Sequence, residues 1–291
     1  RTMMAAEIDI DGLRKHIGTK IVEEDEATRA PLFGLVAAFD RDDAVPIKGG
    51  AIPPGWHLAY FHSFARRATL GEDGLPSSGG VIPEVPFPRR MYAGTTLAFH
   101  HPLLVGDSLK RETELTDITL RSGSTGPLLF ATQTRRIFSP RGLAIVEESY
   151  TVFRDAVKPG EQSGIPKRST PPAGLPWTRQ IETDPVSLFR YSAVTFNPHR
   201  IHYDRTYAMT VEGYPGLVVH GPYSQQCLID LARDKNPTRT IASFTQRARA
   251  PLFDTAPFDV TGRPADGGAG AELWAMTSGG TIAMEVQLRF T

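Results

Sequence analysis

The sequence predicts an α+β chain built from two copies of one unit, each an antiparallel sheet wrapped around a central helix. Three observations predict it. Each half ends in β-rich runs joined by turn residues, the signature of an antiparallel meander. Helical material precedes those strands in both halves. Finally, Phe99-His100-His101-Pro102-Leu103-Leu104, leading to Asp107, is echoed by Ala248-Arg249-Ala250-Pro251-Leu252-Phe253, leading to Asp254. The first unit is expected over residues 1–156 and the second over 179–291. Residues 157–178, rich in Pro, Gly, Ser and Lys, read as the linker between them.

Taken in order, Ile8 to Lys20 carries Ile8, Leu13 and Ile17 at helical spacing, with Asp9 or Asp11 as the cap and Gly18 as the stop. Glu23 to Ala38 reads as a second helix whose regular part begins near Pro31. Pro53-Pro54-Gly55 is a turn before a short apolar element, Trp56 to Phe64. Residues 71–88 hold too much Pro, Gly and Ser to pack and read as loop. Strands are then expected at Thr95–His100, Ser108–Leu120, Leu128–Phe138 and Leu143–Phe153. In the second half Pro222–Asp234 reads as the helix. It is followed by strands at Thr240–Ala250, Phe258–Gly262, Ala271–Thr277 and Thr281–Phe290, the last two joined through Gly279-Gly280.

Bulk properties narrow the function classes. Formal net charge is zero, so the basic footprint of a nucleic-acid binder is missing. The single cysteine, Cys227, excludes an internal disulfide and a cysteine-based metal cluster, and fits a reducing cytoplasm. No run reaches the roughly 18 apolar residues of a membrane helix, so no membrane partner is expected. Walker, GxGxxG and Gly-x-Ser-x-Gly patterns are all missing, which argues against nucleotide hydrolysis, dinucleotide redox chemistry and serine hydrolysis.

Chemistry concentrates between Phe189 and Gln226. Asn197, His199, Arg200, His202 and Asp204 crowd one short segment. His202 is the leading general base, because imidazole exchanges a proton near neutral pH. Asp204 or Asn197 would orient it or its water. His199 and His202 have the three-residue spacing of a metal pair, but Arg200 between them opposes a cation, and no metal is expected. Gly221 opens an apolar helix ahead of Pro222, so its N–H can meet a developing oxyanion, and glycine lets a substrate approach the backbone. Val219 and His220 lead into that turn. Arg89, Arg90 and Arg200 are candidate anion contacts, and Trp56 and His57 candidate pocket walls.

Phe189-Arg-Tyr-Ser-Ala-Val-Thr-Phe-Asn-Pro-His-Arg-Ile-His-Tyr-Asp204, with Tyr214-Pro-Gly-Leu-Val-Val-His-Gly-Pro222, closely resembles the MaoC-like double-hotdog hydratases and dehydratases. The branch is that of mesaconyl-C4-CoA and itaconyl-CoA hydratases and type 2 hydroxyacyl-thioester dehydratases. Ile52-Pro-Pro-Gly-Trp-His, Pro88-Arg-Arg-Met-Tyr-Ala-Gly94 and Phe99-His-His-Pro-Leu-Leu-Val-Gly-Asp107 are similar to it as well. The resemblance implies two hotdog folds in tandem, each with a long wrapped helix, the first binding substrate and the second catalysing. It implies reversible syn addition of water to a 2-enoyl thioester without a cofactor, an acyl-CoA substrate and a possible homodimer. Laid on the broader Asp-x-Asn-Pro-hydrophobic-His motif without gaps, Asn197 takes the Asp place, His199 the Asn place and His202 the His place. A fatty-acid-type (3R)-hydroxyacyl-thioester dehydratase, a hotdog thioesterase and a non-catalytic acyl-CoA-binding subunit are the competing readings.

Overall fold

The computed structural model describes residues 8–77, 80–123, 126–155 and 169–291. Ten strands form one sheet: β1 Lys20–Glu26, β2 Arg89–Phe99, β3 Ser108–Gly123, β4 Gly126–Ser139, β5 Gly142–Arg154, β6 Trp177–Ile181, β7 Ile241–Ala248, β8 Phe258–Ala265, β9 Gly270–Met276 and β10 Ile282–Phe290. Their spatial order is β1-β3-β4-β5-β2-β7-β10-β9-β8-β6, and every neighbouring pair is antiparallel. That order is a palindrome of two five-strand units, each reading first, third, fourth, fifth and second strand of its own half. The helices are α1 Ile10–Arg14, α2 Ala30–Ala38, α3 Pro185–Val194, α4 Arg205–Thr210 and α5 Gly221–Lys235.

The units meet where β2 pairs with β7. Thr96 lies opposite Thr245, and their hydroxyl oxygens stand 3.4 Å apart. These two residues are 149 positions apart, the same interval as Pro102 to Pro251, so an approximate two-fold axis passes between them. The echoed segments play matching parts. Ile52 N–H donates to the Leu103 carbonyl, and Val219 N–H donates to the Leu252 carbonyl. Isolated bridges join Ala51 to Leu104 and Val218 to Phe253.

α5 is the central helix of the second unit. Every residue from Tyr223 to Ala232 is buried, polar ones included, and the helix packs on all five strands β6 to β10. Such a helix shows no amphipathic stripe, since each face meets protein. The first unit departs from expectation. Among the described residues it has no helix of that length: the corresponding place begins with the 3-10 turn Trp56–Ala59 and continues as loop. Trp56, Tyr60 and Phe61 join the shared core, while Val81 and Phe87 pack on Leu115, Ile118 and Leu129.

Two edge strands also depart from expectation. Lys20–Glu26, whose second half reads as helix in the sequence, is β1; on this mostly exposed edge Glu23 pairs with Arg111 at 2.6 Å and Asp25 accepts from the Phe61 N–H at 2.6 Å. Trp177 and Thr178, assigned to the linker, open β6. Most of the expected linker, residues 157–168, lies outside the described residues. The helix after β1 does start near Pro31, at Ala30.

Gly94 marks where β2 runs against β7 too closely for a side chain. A Cβ there would lie 2.3 Å from the Gln246 carbonyl oxygen, backbone that cannot swing away. Gly94→Ala is expected to cost about 1–3 kcal/mol, the usual range for overpacking, read as a lower denaturation midpoint. An unchanged midpoint would show that the seam tolerates separation.

Candidate active site

The site is assembled around the turn after α3. Asp184 caps α3 in a reciprocal capping box with Ser187, and Pro185 opens the helix. Phe196 then takes a left-handed conformation (φ 51°), which ends the helix and turns the chain back. Its exposed ring stacks on His62 and tilts against Phe64, so the first unit buttresses the turn. Asn197 Oδ1 accepts from the His199 N–H at 3.0 Å, closing a local turn before the 3-10 segment Arg200–His202. His199 occupies the cap position of that segment. A loop of the first unit is fastened here too, since the Arg200 N–H donates to the Asp73 carbonyl.

His202 is buried, and its Nδ1 lies 2.7 Å from the Val218 carbonyl oxygen. A carbonyl can only accept, so Nδ1 carries the proton and Nε2 keeps its lone pair. Burial pushes the His202 imidazole down to about 3; the Val218 bond opposes that, and neighbouring His199 adds to it. The group is therefore neutral at pH 7. Behind it His220, fully buried, stacks ring on ring with a centroid separation of 3.7 Å. Nε2 of His220 lies 2.8 Å from the Ser192 hydroxyl, and the edge of Tyr191 closes over the ring. Burial, then His202 and His199, hold His220 well below the ordinary histidine range. His199 stands edge-on to His202, and burial followed by the charge of Arg90 lowers it to about 4.

His220 caps α5, so the imidazole stack sits at the start of that helix. Gly221 is its first residue and Pro222 has no N–H. The Gly221 N–H finds no acceptor among the described residues. Over it lies Tyr92 of β2: a Cβ on Gly221 would meet the ring at 2.9 Å, and the Tyr92 hydroxyl donates to Gln225 Oε1 at 3.3 Å. Val219, whose N–H bonds Leu252, is core. The first unit thus contributes an aromatic lid to the second unit's helix terminus. Tyr92 lies within the Pro88–Gly94 motif, but nothing in a strand's letters says which helix end it will cover.

The other candidates divide. Arg90 is exposed, acts on His199 through its charge and makes no ion pair among the described residues. Arg89 contacts Tyr214 at 3.4 Å and Glu212 at 3.9 Å. Arg200 is committed elsewhere: its guanidinium holds Asp204 at 2.8 Å, donates to the Glu72 carbonyl and stacks on Tyr207. Asp204 is correspondingly engaged, with Oδ1 capping α4 at the Tyr207 N–H and Oδ2 on Arg200, away from the imidazole it was expected to orient. Trp56 lies under the Arg233 guanidinium of α5, His57 stands beside Phe99 and Glu147, and Gln226 of α5 donates to the Pro54 carbonyl. No group of three metal-ligating side chains occurs among the described residues, nor any helix long and apolar enough to cross a membrane. Two cavities, of about 490 and 440 Å³, are lined by other residues than His202 and Gly221.

Two half-sheets joined edge to edge through β2 and β7, with one long buried helix, define a double-hotdog fold. Residues 55–254 match the family described as hydroxyacyl-thioester dehydratase type 2, and the chain belongs to that family. It is 43% identical over 249 residues to mesaconyl-C4-CoA hydratase of Chloroflexus aurantiacus, covering 85% of this chain and 88% of that one. Among solved structures, a MaoC-like dehydratase of Phytophthora capsici superposes with a TM-score of 0.66 at 14% identity, over 98% and 99% of the two chains. A Mycobacterium tuberculosis protein described as a double hotdog fold does so with 0.59 at 12% identity, over 97% of each.

The three neutral imidazoles have a consequence for stability. Each binds a proton in the unfolded chain near pH 6.5 but only at much lower pH when folded. As pH falls below about 6.5 the unfolded state therefore gains protons first, and stability drops until the folded-state values near 4 for His199 and 3 for His202 are passed. Each such group adds a slope of up to about 1.4 kcal/mol per pH unit. Denaturant titrations between pH 7 and 4 should show this fall, and His199→Gln should make it shallower. An equally steep fall in the variant would mean His199 is not held neutral.

Proposed function

We propose that the protein is a hydro-lyase that adds water reversibly to a 2-enoyl thioester, most suitably a short dicarboxylic acyl-CoA such as mesaconyl-C4-CoA or itaconyl-CoA. The observation that carries this reading is the tautomer of His202: Nδ1 is fixed as donor to Val218, so the Nε2 lone pair is left free, on a ring stacked against His220 at the N-terminus of α5. The identity to mesaconyl-C4-CoA hydratase supports the substrate class.

In this mechanism the thioester carbonyl lies against the Gly221 N–H once the Tyr92 ring turns aside. A water hydrogen-bonded to His202 Nε2 gives that nitrogen a proton while its oxygen bonds C3. The C2–C3 π electrons move onto the thioester oxygen as an enolate, which the Gly221 N–H and the positive end of α5 stabilise. The imidazolium then returns the proton to C2 on the same face, so addition is syn and His202 ends neutral. Asn197 has no basic group; holding the turn through the His199 N–H, it positions the water and the imidazole. The distal carboxylate of a dicarboxylic substrate is met by Arg90, which has no carboxylate partner among the described residues.

A positioned general base contributes typically about 10²–10⁴-fold. His202→Gln should lose at least about 10²-fold in kcat on mesaconyl-C4-CoA, followed by loss of the conjugated thioester absorbance, with an unchanged melting profile. Near-normal turnover in a folded variant would remove the assignment. A thiol reagent should stay silent throughout, as hydration leaves the thioester intact.

Charge-assisted contacts are worth about 1.5–3 kcal/mol. Arg90→Gln should accordingly raise KM for the dicarboxylic thioester about tenfold or more while changing KM for crotonyl-CoA little. Equal effects on both would assign Arg90 to the CoA moiety instead.

A further inference from the structure

The internal two-fold that relates the units also relates the candidate active site to a second place in the molecule. The segment Val219-His220-Gly221 begins where Val219 bonds Leu252; its counterpart, Ile52-Pro53-Pro54, begins where Ile52 bonds Leu103. Arg90 stands 149 residues before Arg239, the interval that separates Thr96 from Thr245. A cavity of about 440 Å³ lies at this counterpart position. Among the described residues the first unit has no long central helix, and the cavity reaches inward to Phe99 and Ile145, while Ile52 and Leu103 make it mainly apolar.

Two polar groups give it chemistry. His57 lines the cavity, is 96% removed from solvent, and neither of its ring nitrogens has a hydrogen-bond partner among the described residues. Nε2 stands 3.6 Å from buried Glu147 Oε2, beyond hydrogen-bond length. Glu147 is itself satisfied by Arg135 at 2.7 Å. A buried imidazole with open nitrogens costs stability unless something fills them. At the mouth, exposed Arg239 donates to the Gly268 carbonyl and lies over Phe290, but has no carboxylate partner among the described residues. Arg233, the other lining cation, is already paired with Asp230 and Asp43.

We propose that this cavity is a second ligand site, which takes a short acyl chain ending in an anion or in an anion-bearing thioester. The chain lies on Ile52, Phe99, Leu103 and Ile145, His57 meets its carbonyl or carboxyl oxygen, and Arg239 pairs with the charge outside. The turn that carries His202 contributes nothing to its walls, so the site binds without hydrating.

The probes are hexanoate and the saturated thioester hexanoyl-CoA, neither of which can be hydrated, titrated calorimetrically into the full chain. At least one should bind in a manner that Arg239→Gln weakens about tenfold or more and Arg90→Gln leaves unchanged. Turnover of the enoyl thioester should be the same in Arg239→Gln as in the parent chain. An Arg239-dependent site for hexanoate alone identifies a free acid as the ligand; two molecules of hexanoyl-CoA per chain, falling to one in Arg239→Gln, identify the thioester. If neither probe shows Arg239-dependent binding, the second site does not exist. These readouts do not require catalysis, so they stand whether or not the hydro-lyase reading holds.

Discussion

Everything at the site depends on the antiparallel pairing of β2 with β7. That seam fuses two half-sheets into one and places Thr96 against its own equivalent. Register is exact in a sheet: a one-residue slip would turn every β2 side chain to the opposite face. Tyr92 would then leave the start of α5, and Arg90 would leave His199. Gly94 is what allows the strands to approach so closely. The start of α5 and His199 thus face residues of the first unit whose placement is decided by the join.

Within that frame, burial does the electrostatic work. The imidazole stack of His202 and His220 is kept neutral by removal from water, and the Val218 carbonyl selects which nitrogen holds the proton. A neutral base in a dry setting can take a proton from water only when negative charge develops nearby to stabilise the imidazolium. In the proposed mechanism an enolate at the start of α5 supplies that charge. The base is thereby coupled to substrate, and idle proton exchange is suppressed.

Much of this was legible in the sequence. The long strands carry β-branched and aromatic residues between turn residues, and the Pro-Leu echo revealed the repeat whose interval the Thr96–Thr245 pair reproduces. The segment from Asn197 to Gly221 announced itself by its density of titratable groups. The losses have physical reasons. β1 is an edge strand whose acidic face reads as helix because no buried side alternates with it. The missing helix of the first unit is hidden because loops with apolar residues such as Trp56 and Phe87 fill space as a helix would. Asp204 and Arg200 look free as letters, yet at four residues' separation they satisfy one another. Tyr92, Ser192 and the pairing of His57 with an unfilled cavity are tertiary facts that no local pattern encodes.

The proposed hydration requires a neutral His202 that is protonated on Nδ1 and offers Nε2 to the acyl thioester's water. Nitrogen-15 NMR of the histidine rings in the intact protein reads this directly. The prediction is a His202 that keeps the Nδ1–H tautomer from pH 8 to pH 5, with an Nε2 resonance that moves when a saturated analogue, succinyl-CoA, is added. An imidazolium at pH 6, or an Nε2 signal indifferent to the ligand, would contradict it.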